Sequence, residues 1–134
     1  MFIPLRMRIP RVVFLILLFT LAGTPGAWAH ARLLRAEPKT GAELSSAPRQ
    51  IDLWFNELLE DGFNTVTVIP AADLVAEKKN NFAKGKPVID PRDRTHLTVK
   101  LGALSPGEYI VEWRVLSRDG HSAPGRSTFR VRVP

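Results

Sequence analysis

Apolar and polar residues alternate along several short stretches of the chain. Successive side chains of a β-strand point to opposite faces, so this period of two predicts strands with one buried face. A run of β-branched residues predicts one further strand. The stretches begin near Leu33 and continue with residues 51–55, 65–69, 97–101, 109–116 and 129–133.

The segments between these stretches are rich in glycine, proline, serine and asparagine, which are typical of turns. Residues 76–95 carry no clear pattern, and we expect long loops there with one short strand at most. No segment has the period of a convincing amphipathic helix. Some seven short strands in a domain of about 100 residues predict an all-β fold, a β-sandwich. We expect its core to contain Phe55, Val111, Trp113 and Phe129.

The first 29 residues have the features of a secretory signal peptide. Three arginines precede an uncharged, mostly apolar run at residues 12–23, which is too short to span a membrane. Residues 27–29 (Ala-Trp-Ala) place small residues at a cleavage site. We expect cleavage after Ala29, with cleavage after Gly26 as the alternative. Residues 30–134 would then form one mature domain, exported to the periplasm and without a membrane span.

Removal of residues 1–29 changes the composition in two ways. Three of the 19 Lys and Arg residues are lost, which leaves 16 against 13 acidic residues and a net charge of +3. This charge is ordinary for a solvated surface and does not indicate nucleic-acid binding. Both methionines, Met1 and Met7, are lost as well, and the chain has no cysteine. The mature domain therefore offers no sulfur ligand to a metal ion.

Two histidines and one aspartate are the candidate metal ligands. Asp119 and His121 flank Gly120 after the longest predicted strand, where alternate residues point to the same side. His30 would be the first mature residue, and its α-amine and imidazole could bind one ion as a chelate. Nitrogen and oxygen donors without sulfur favour Cu(II), with Ni(II) and Zn(II) as poorer fits, and exclude a blue-copper centre.

Each of these residues also has a purely structural interpretation. Residues 119–121 are typical of an ordinary turn, and His30 is the residue that happens to follow the cleavage site. His96 lies opposite the apolar residues of its predicted strand, so we expect an ordinary surface histidine. Tryptophans such as Trp54 and Trp113 more often pack in a core than contact a ligand.

Five motifs within residues 30–134 occur together. They are His30-Ala31-Arg32-Leu33, Glu37-Pro38-Lys39-Thr40-Gly41, Pro48-x-x-Ile51-x-Leu53-x-Phe55-x-Glu57, Pro106-Gly107-x-Tyr109-x-Val111-x-Trp113-Arg114-Val115-x-Ser117-x-Asp119-Gly120-His121 and Gly125-x-x-x-Phe129-x-Val131. In these motifs the mature sequence resembles the CopC family of periplasmic copper-resistance proteins, including its YobA-type members. The resemblance implies an Ig-like or cupredoxin-like Greek-key β-sandwich.

The resemblance also implies a set of copper ligands. Carried over by motif position, the Cu(II) ligands would be His30, through its amine and imidazole, together with Asp119 and His121. Glu57 corresponds to a carboxylate near this site in some members, either as a ligand or as an outer-shell group. Members with a second site hold Cu(I) in a methionine-rich loop. The mature domain has no methionine, so we expect a Cu(II)-only member.

The expected function is a periplasmic Cu(II)-binding protein for copper buffering, delivery or resistance, and not an enzyme. The resemblance implies a CopD-like membrane permease or a multicopper oxidase as a separate partner. A copper-dependent oxidase of the lytic polysaccharide monooxygenase type is the alternative, because such enzymes also hold copper through an N-terminal histidine. Against it, Asp119 would occupy a coordination position that oxygen needs. A metal-free Ig-like interaction module is a third hypothesis, which a Cu(II) titration would separate from the other two.

Overall fold

The computed structural model describes residues 30–134, which form eight β-strands and one short 3-10 turn at Ala71–Asp73. The predicted signal peptide, residues 1–29, lies outside the described residues. The strands are β1 (Leu33–Glu37), β2 (Ala42–Leu44), β3 (Gln50–Phe55), β4 (Thr65–Pro70), β5 (Ala83–Ile89), β6 (His96–Leu101), β7 (Gly107–Leu116) and β8 (Ser122–Val131). No helix in this part of the chain is long and apolar enough to cross a membrane.

The strands form two four-stranded sheets. The first sheet has the order β1-β3-β6-β5, and all of its pairings are antiparallel. The second has the order β2-β8-β7-β4, in which β2 runs parallel to β8 and the other pairs are antiparallel. The prediction of an all-β sandwich is confirmed. The structure has one strand more than expected, because β2 forms where no strand was predicted.

The core lies between the two sheets, and alternate residues of both contribute to it. The four predicted core residues are buried, with Phe55, Val111 and Phe129 each 1% exposed and Trp113 7% exposed. Val133 differs from expectation. It follows the end of β8 and is 80% exposed, because the last strand stops pairing at Val131.

Trp113 fills its part of the core because the facing residue has no side chain. Trp113 of β7 lies opposite Gly125 of β8, and the indole ring occupies the space that a β-carbon at Gly125 would need. The ring also packs edge-to-face against Phe55 of the other sheet, with ring centroids 6.1 Å apart. Gly125 is therefore required by a close approach between a side chain and a backbone.

Gly125→Ala should lower the free energy of unfolding by about 1–3 kcal/mol, because the added methyl group would overlap the indole ring and force it to move. Gly102→Ala is the matched control. Neither glycine has a positive φ, and the closest contact of a β-carbon at Gly102 would be the flexible end of Lys84, 3.1 Å away. Urea denaturation of both variants measures the difference. Equal losses of stability would contradict the packing described for Trp113.

The outer face of the first sheet carries an ordered polar network around His96. The His96 ring stacks on Trp54, with centroids 4.2 Å apart, and its Nε2 lies 2.7 Å from Asp52 Oδ1. The Thr98 hydroxyl donates to the same oxygen, and Asp90 lies 3.6 Å from His96 Nδ1. The His96 side chain is 17% exposed. His96 lies on the surface as expected, but it is mostly covered and has ordered partners. Trp54 lies on the outer face and not in the core.

Candidate metal centre

The connection between β7 and β8 holds residues 117–121 in a tight turn. The amide of Gly120 donates to the carbonyl of Ser117 over 2.9 Å, and the Ser117 amide donates to the carbonyl of His121 over 3.0 Å. Gly120 has a φ of +89°, a conformation that favours glycine. The turn therefore brings Asp119 and His121 to the same end of the sandwich.

The two oxygens of Asp119 have different surroundings. Oδ1 accepts a short hydrogen bond from the Ser117 hydroxyl and a second one, of 3.0 Å, from the His121 amide. Oδ2 lies 3.1 Å from His121 Nδ1. One oxygen is thus engaged inside the turn, and the other faces the imidazole.

These hydrogen bonds favour the ionised form of Asp119. The bond from the Ser117 hydroxyl, followed by those from the amide and ring of His121, lowers the pKa of Asp119 to about 2. The carboxylate is therefore charged at neutral pH. It supplies the negative oxygen that a hard or borderline metal ion requires.

The segment that carries His30 is fastened to the end of β3. The Arg32 amide donates to Asn56 Oδ1 over 2.6 Å, and the Asn56 amide donates to the Arg32 carbonyl over 3.1 Å. Ala31 is 7% exposed and belongs to the core, whereas His30 is exposed. His30 is therefore presented to solvent from an anchored backbone.

The two histidines of the candidate site are neighbours, although 90 positions separate them in the sequence. The ring of His30 lies edge-to-face with the ring of His121, with centroids 5.6 Å apart. Metal–imidazole bonds are about 2.0–2.1 Å long, so two rings at this separation are near enough to be ligands of one ion. The donors present fit a nitrogen- and oxygen-ligated ion.

The side chains do not converge fully in the chain as described. Within residues 30–134, no three His, Cys, Asp or Glu side chains are arranged closely enough to hold a metal ion. His30, His121 and Asp119 form a row of neighbours, and Glu57 is not part of it. Glu57 is half-buried after β3, and this part of the chain gives its side chain no hydrogen bond or ion pair.

The sequence analysis missed two residues that shape this end of the sandwich. Asn56 fastens the His30 segment, and Ser117 binds the Asp119 carboxylate. Ser117 stands two residues before Asp119, a spacing that could have indicated a turn hydrogen bond. Nothing local to Asn56 indicates that it would bind Arg32. A shallow cleft beside His30 is also lined by Trp113, which brings a fluorescent ring close to the candidate site.

Known proteins of one family are similar to this chain over most of its length. The family model of the CopC domain matches residues 33–132. Protein YobA of Escherichia coli K12 is 36% identical over 119 residues, which cover 88% of this chain and 91% of that protein. Copper resistance protein C of Pseudomonas syringae pv. tomato is 30% identical over 106 residues, which cover 79% of this chain and 83% of that protein.

A solved structure shows the same fold. The crystal structure of PcoC, a methionine-rich copper resistance protein from Escherichia coli, superimposes with a TM-score of 0.63. It is 25% identical and covers 78% of this chain and 100% of PcoC. The copper-dependent oxidase hypothesis gains no support, because relatives of this chain are named for copper resistance and copper transport. The chain therefore belongs to the CopC family.

Proposed function

We propose that the processed chain, beginning at His30, is a periplasmic Cu(II)-binding protein that buffers or delivers copper. The observation that carries the proposal is the meeting of His30 and His121, whose rings lie 5.6 Å apart beside the ionised Asp119. Membership of a family with copper resistance proteins supports copper as the ion. The predicted signal peptide at residues 1–29 supports the periplasm as the location.

The proposed ligands are the imidazoles of His30 and His121, a carboxylate oxygen of Asp119 and the α-amine of His30. The amine is the donor that the unprocessed chain lacks, because the nitrogen of residue 30 belongs to a peptide bond there. A fourth donor from processing would complete the tetragonal set that Cu(II) prefers. Glu57 is proposed only as a carboxylate near the site, since it has no contact with the other three residues among the described interactions.

The proposed oxidation state follows from the absence of sulfur. Residues 30–134 contain neither cysteine nor methionine, so this domain has no soft ligand for Cu(I). PcoC, in contrast, is described as methionine-rich. We propose that the domain exchanges Cu(II) with a separate protein, for which a CopD-like membrane permease and a multicopper oxidase are the candidates.

His121→Ala should change the Cu(II) affinity and His96→Ala the stability, and this difference tests the assignment. His121→Ala removes a proposed ligand and should weaken Cu(II) binding by more than the roughly 10- to 100-fold cost of losing an outer-shell group. His96→Ala leaves the proposed ligands intact and should not change the affinity. It should lower stability by about 1–3 kcal/mol, because Asp52 loses a hydrogen-bond partner.

Competitive Cu(II) titration and urea denaturation of protein beginning at His30 measure the two effects. We expect one Cu(II) per chain, with a tetragonal electron paramagnetic resonance spectrum that shows nitrogen couplings. The parent protein should bind Cu(I) far more weakly than Cu(II). Equal losses of affinity in the two variants would show that the wrong histidines have been assigned. A parent protein that binds no Cu(II) would refute the proposed function.

A further inference from the structure

Ser117 is one of only two buried polar residues among residues 30–134. It is 1% exposed, and the other, Ser127, is 4% exposed. A buried hydroxyl needs a hydrogen-bond partner, so its partner indicates its role. The Ser117 hydroxyl lies close to two acceptors, Asp119 Oδ1 and the carbonyl of His121 at 3.1 Å. It has one proton, and the ionised carboxylate is both the closer and the stronger acceptor.

The backbone around Ser117 is held by hydrogen bonds within the turn and by pairing with residues 58 and 59. Ser117 forms an isolated β-bridge with Leu59, and its amide binds the carbonyl of His121. The next residue, Arg118, donates its amide to the carbonyl of Leu58. The Ser117 hydroxyl therefore has a fixed position, from which it can orient the Asp119 side chain at the exposed end of the turn.

This arrangement gives the two oxygens of Asp119 different partners. Oδ1 accepts from the Ser117 hydroxyl and the His121 amide, which uses its acceptor capacity inside the turn. Oδ2 is left beside the His121 ring, at 3.1 Å from Nδ1. An Asp119 side chain without the Ser117 bond could rotate and offer either oxygen in several directions.

We infer that Ser117 is a positioning residue for the metal centre, which fixes Asp119 through Oδ1 so that only Oδ2 is presented to the ion. The inference rests on the proposed function for the identity of the ion. The hold of Ser117 on Asp119 is a property of the metal-free chain. Outer-shell groups of this kind orient a ligand without touching the metal.

A double-mutant cycle on protein beginning at His30 tests the inference. Ser117→Ala should weaken Cu(II) binding about 10- to 100-fold in the parent, as loss of an outer-shell group does. In an Asp119→Ala background it should cause no further loss, because the group through which it acts is absent. Ser127→Ala removes a comparably buried hydroxyl on β8 and should leave both the affinity and the electron paramagnetic resonance spectrum unchanged.

Two results would overturn the inference. One is a Ser117→Ala affinity equal to that of Ser127→Ala. The other is an equal loss in the presence and absence of the Asp119 carboxylate, since a general weakening of the turn would act in both backgrounds. A shifted electron paramagnetic resonance spectrum for Ser117→Ala alone would support it, because a change at a ligand of the bound ion alters its spectrum.

A metal-free measurement separates this inference from the proposed function. The His121 amide is bonded to Asp119 Oδ1, so its NMR resonance should shift and its hydrogen exchange should accelerate in Ser117→Ala but not in Ser127→Ala. A parent protein that fails to bind Cu(II) refutes the function, and the amide then decides whether Ser117 holds Asp119. An unchanged His121 amide refutes the positioning role whatever the copper result.

Discussion

Trp113→Ala should lower the free energy of unfolding by about 3–5 kcal/mol, the usual cost of truncating a buried aromatic residue. The indole ring is 7% exposed, packs against Phe55 and covers Gly125. Since Gly125 has no side chain, the residue facing the ring cannot fill the space that the ring leaves. The cavity should therefore persist, and its unfavourable free energy adds to the loss of apolar burial.

Trp54→Ala is the matched control, because it removes the same side chain from the outer face of the first sheet. Trp54 stacks on His96 and is half-buried, so its loss leaves a surface depression that water can fill. We expect a clearly smaller loss of stability than for Trp113→Ala. Urea denaturation followed by circular dichroism measures both variants. Similar losses would show that Trp113 does not occupy the core position described here.

The strands that the alternating pattern predicted most clearly are those in which one face is buried along nearly the whole length. In β3, Ile51, Leu53 and Phe55 are each 1% exposed, and the residues between them face outward. In this situation burial imposes the period of two directly on the sequence. Local pattern was therefore sufficient for β3, β6 and β7.

The strand β5 could not be predicted in this way. It contains Gly85 and Pro87, both of which are unfavourable inside a strand, and its pairing with β6 shifts in register between Lys84 and Val88. It lies at an edge of the first sheet, where proline and irregular pairing are tolerated. Its seven residues form a strand because β6 offers them partners, and this long-range pairing leaves no local pattern.

The candidate site likewise has residues that local sequence could predict and residues that depend on long-range pairing. His30, Asp119 and His121 could be selected because a cleavage site and a short motif are local features of the sequence. The bond of Asn56 to Arg32 and the outer-face pairing of Asp52 with His96 depend on strands meeting in one particular register. Sequence could therefore name candidate donors, but it could not name Asn56, whose bond to Arg32 fastens the His30 segment.

Protein that begins at His30 should bind Cu(II) far more tightly than protein that carries one extra residue ahead of it. A free α-amine has an unperturbed pKa of about 8, so a metal ion displaces its proton readily near neutral pH. In the extended protein this nitrogen belongs to an amide and has no basic lone pair. Two donors on one residue act as linked binding groups, and linkage raises affinity by roughly 10²–10⁴.

The two forms should unfold at similar temperatures without metal, because His30 is exposed while the buried anchor, Ala31, is unchanged in both. With Cu(II) added, only the form beginning at His30 should gain much stability, about 2.7 kcal/mol at a free concentration 100 times its dissociation constant. Competitive titrations measure the affinities, and mass spectrometry confirms each terminus. A third form, acetylated at His30, removes the basic amine without adding a residue and should behave like the extended form. If all three bind Cu(II) equally, the amine is not a ligand, and the site must be completed by a donor already present in the unprocessed chain.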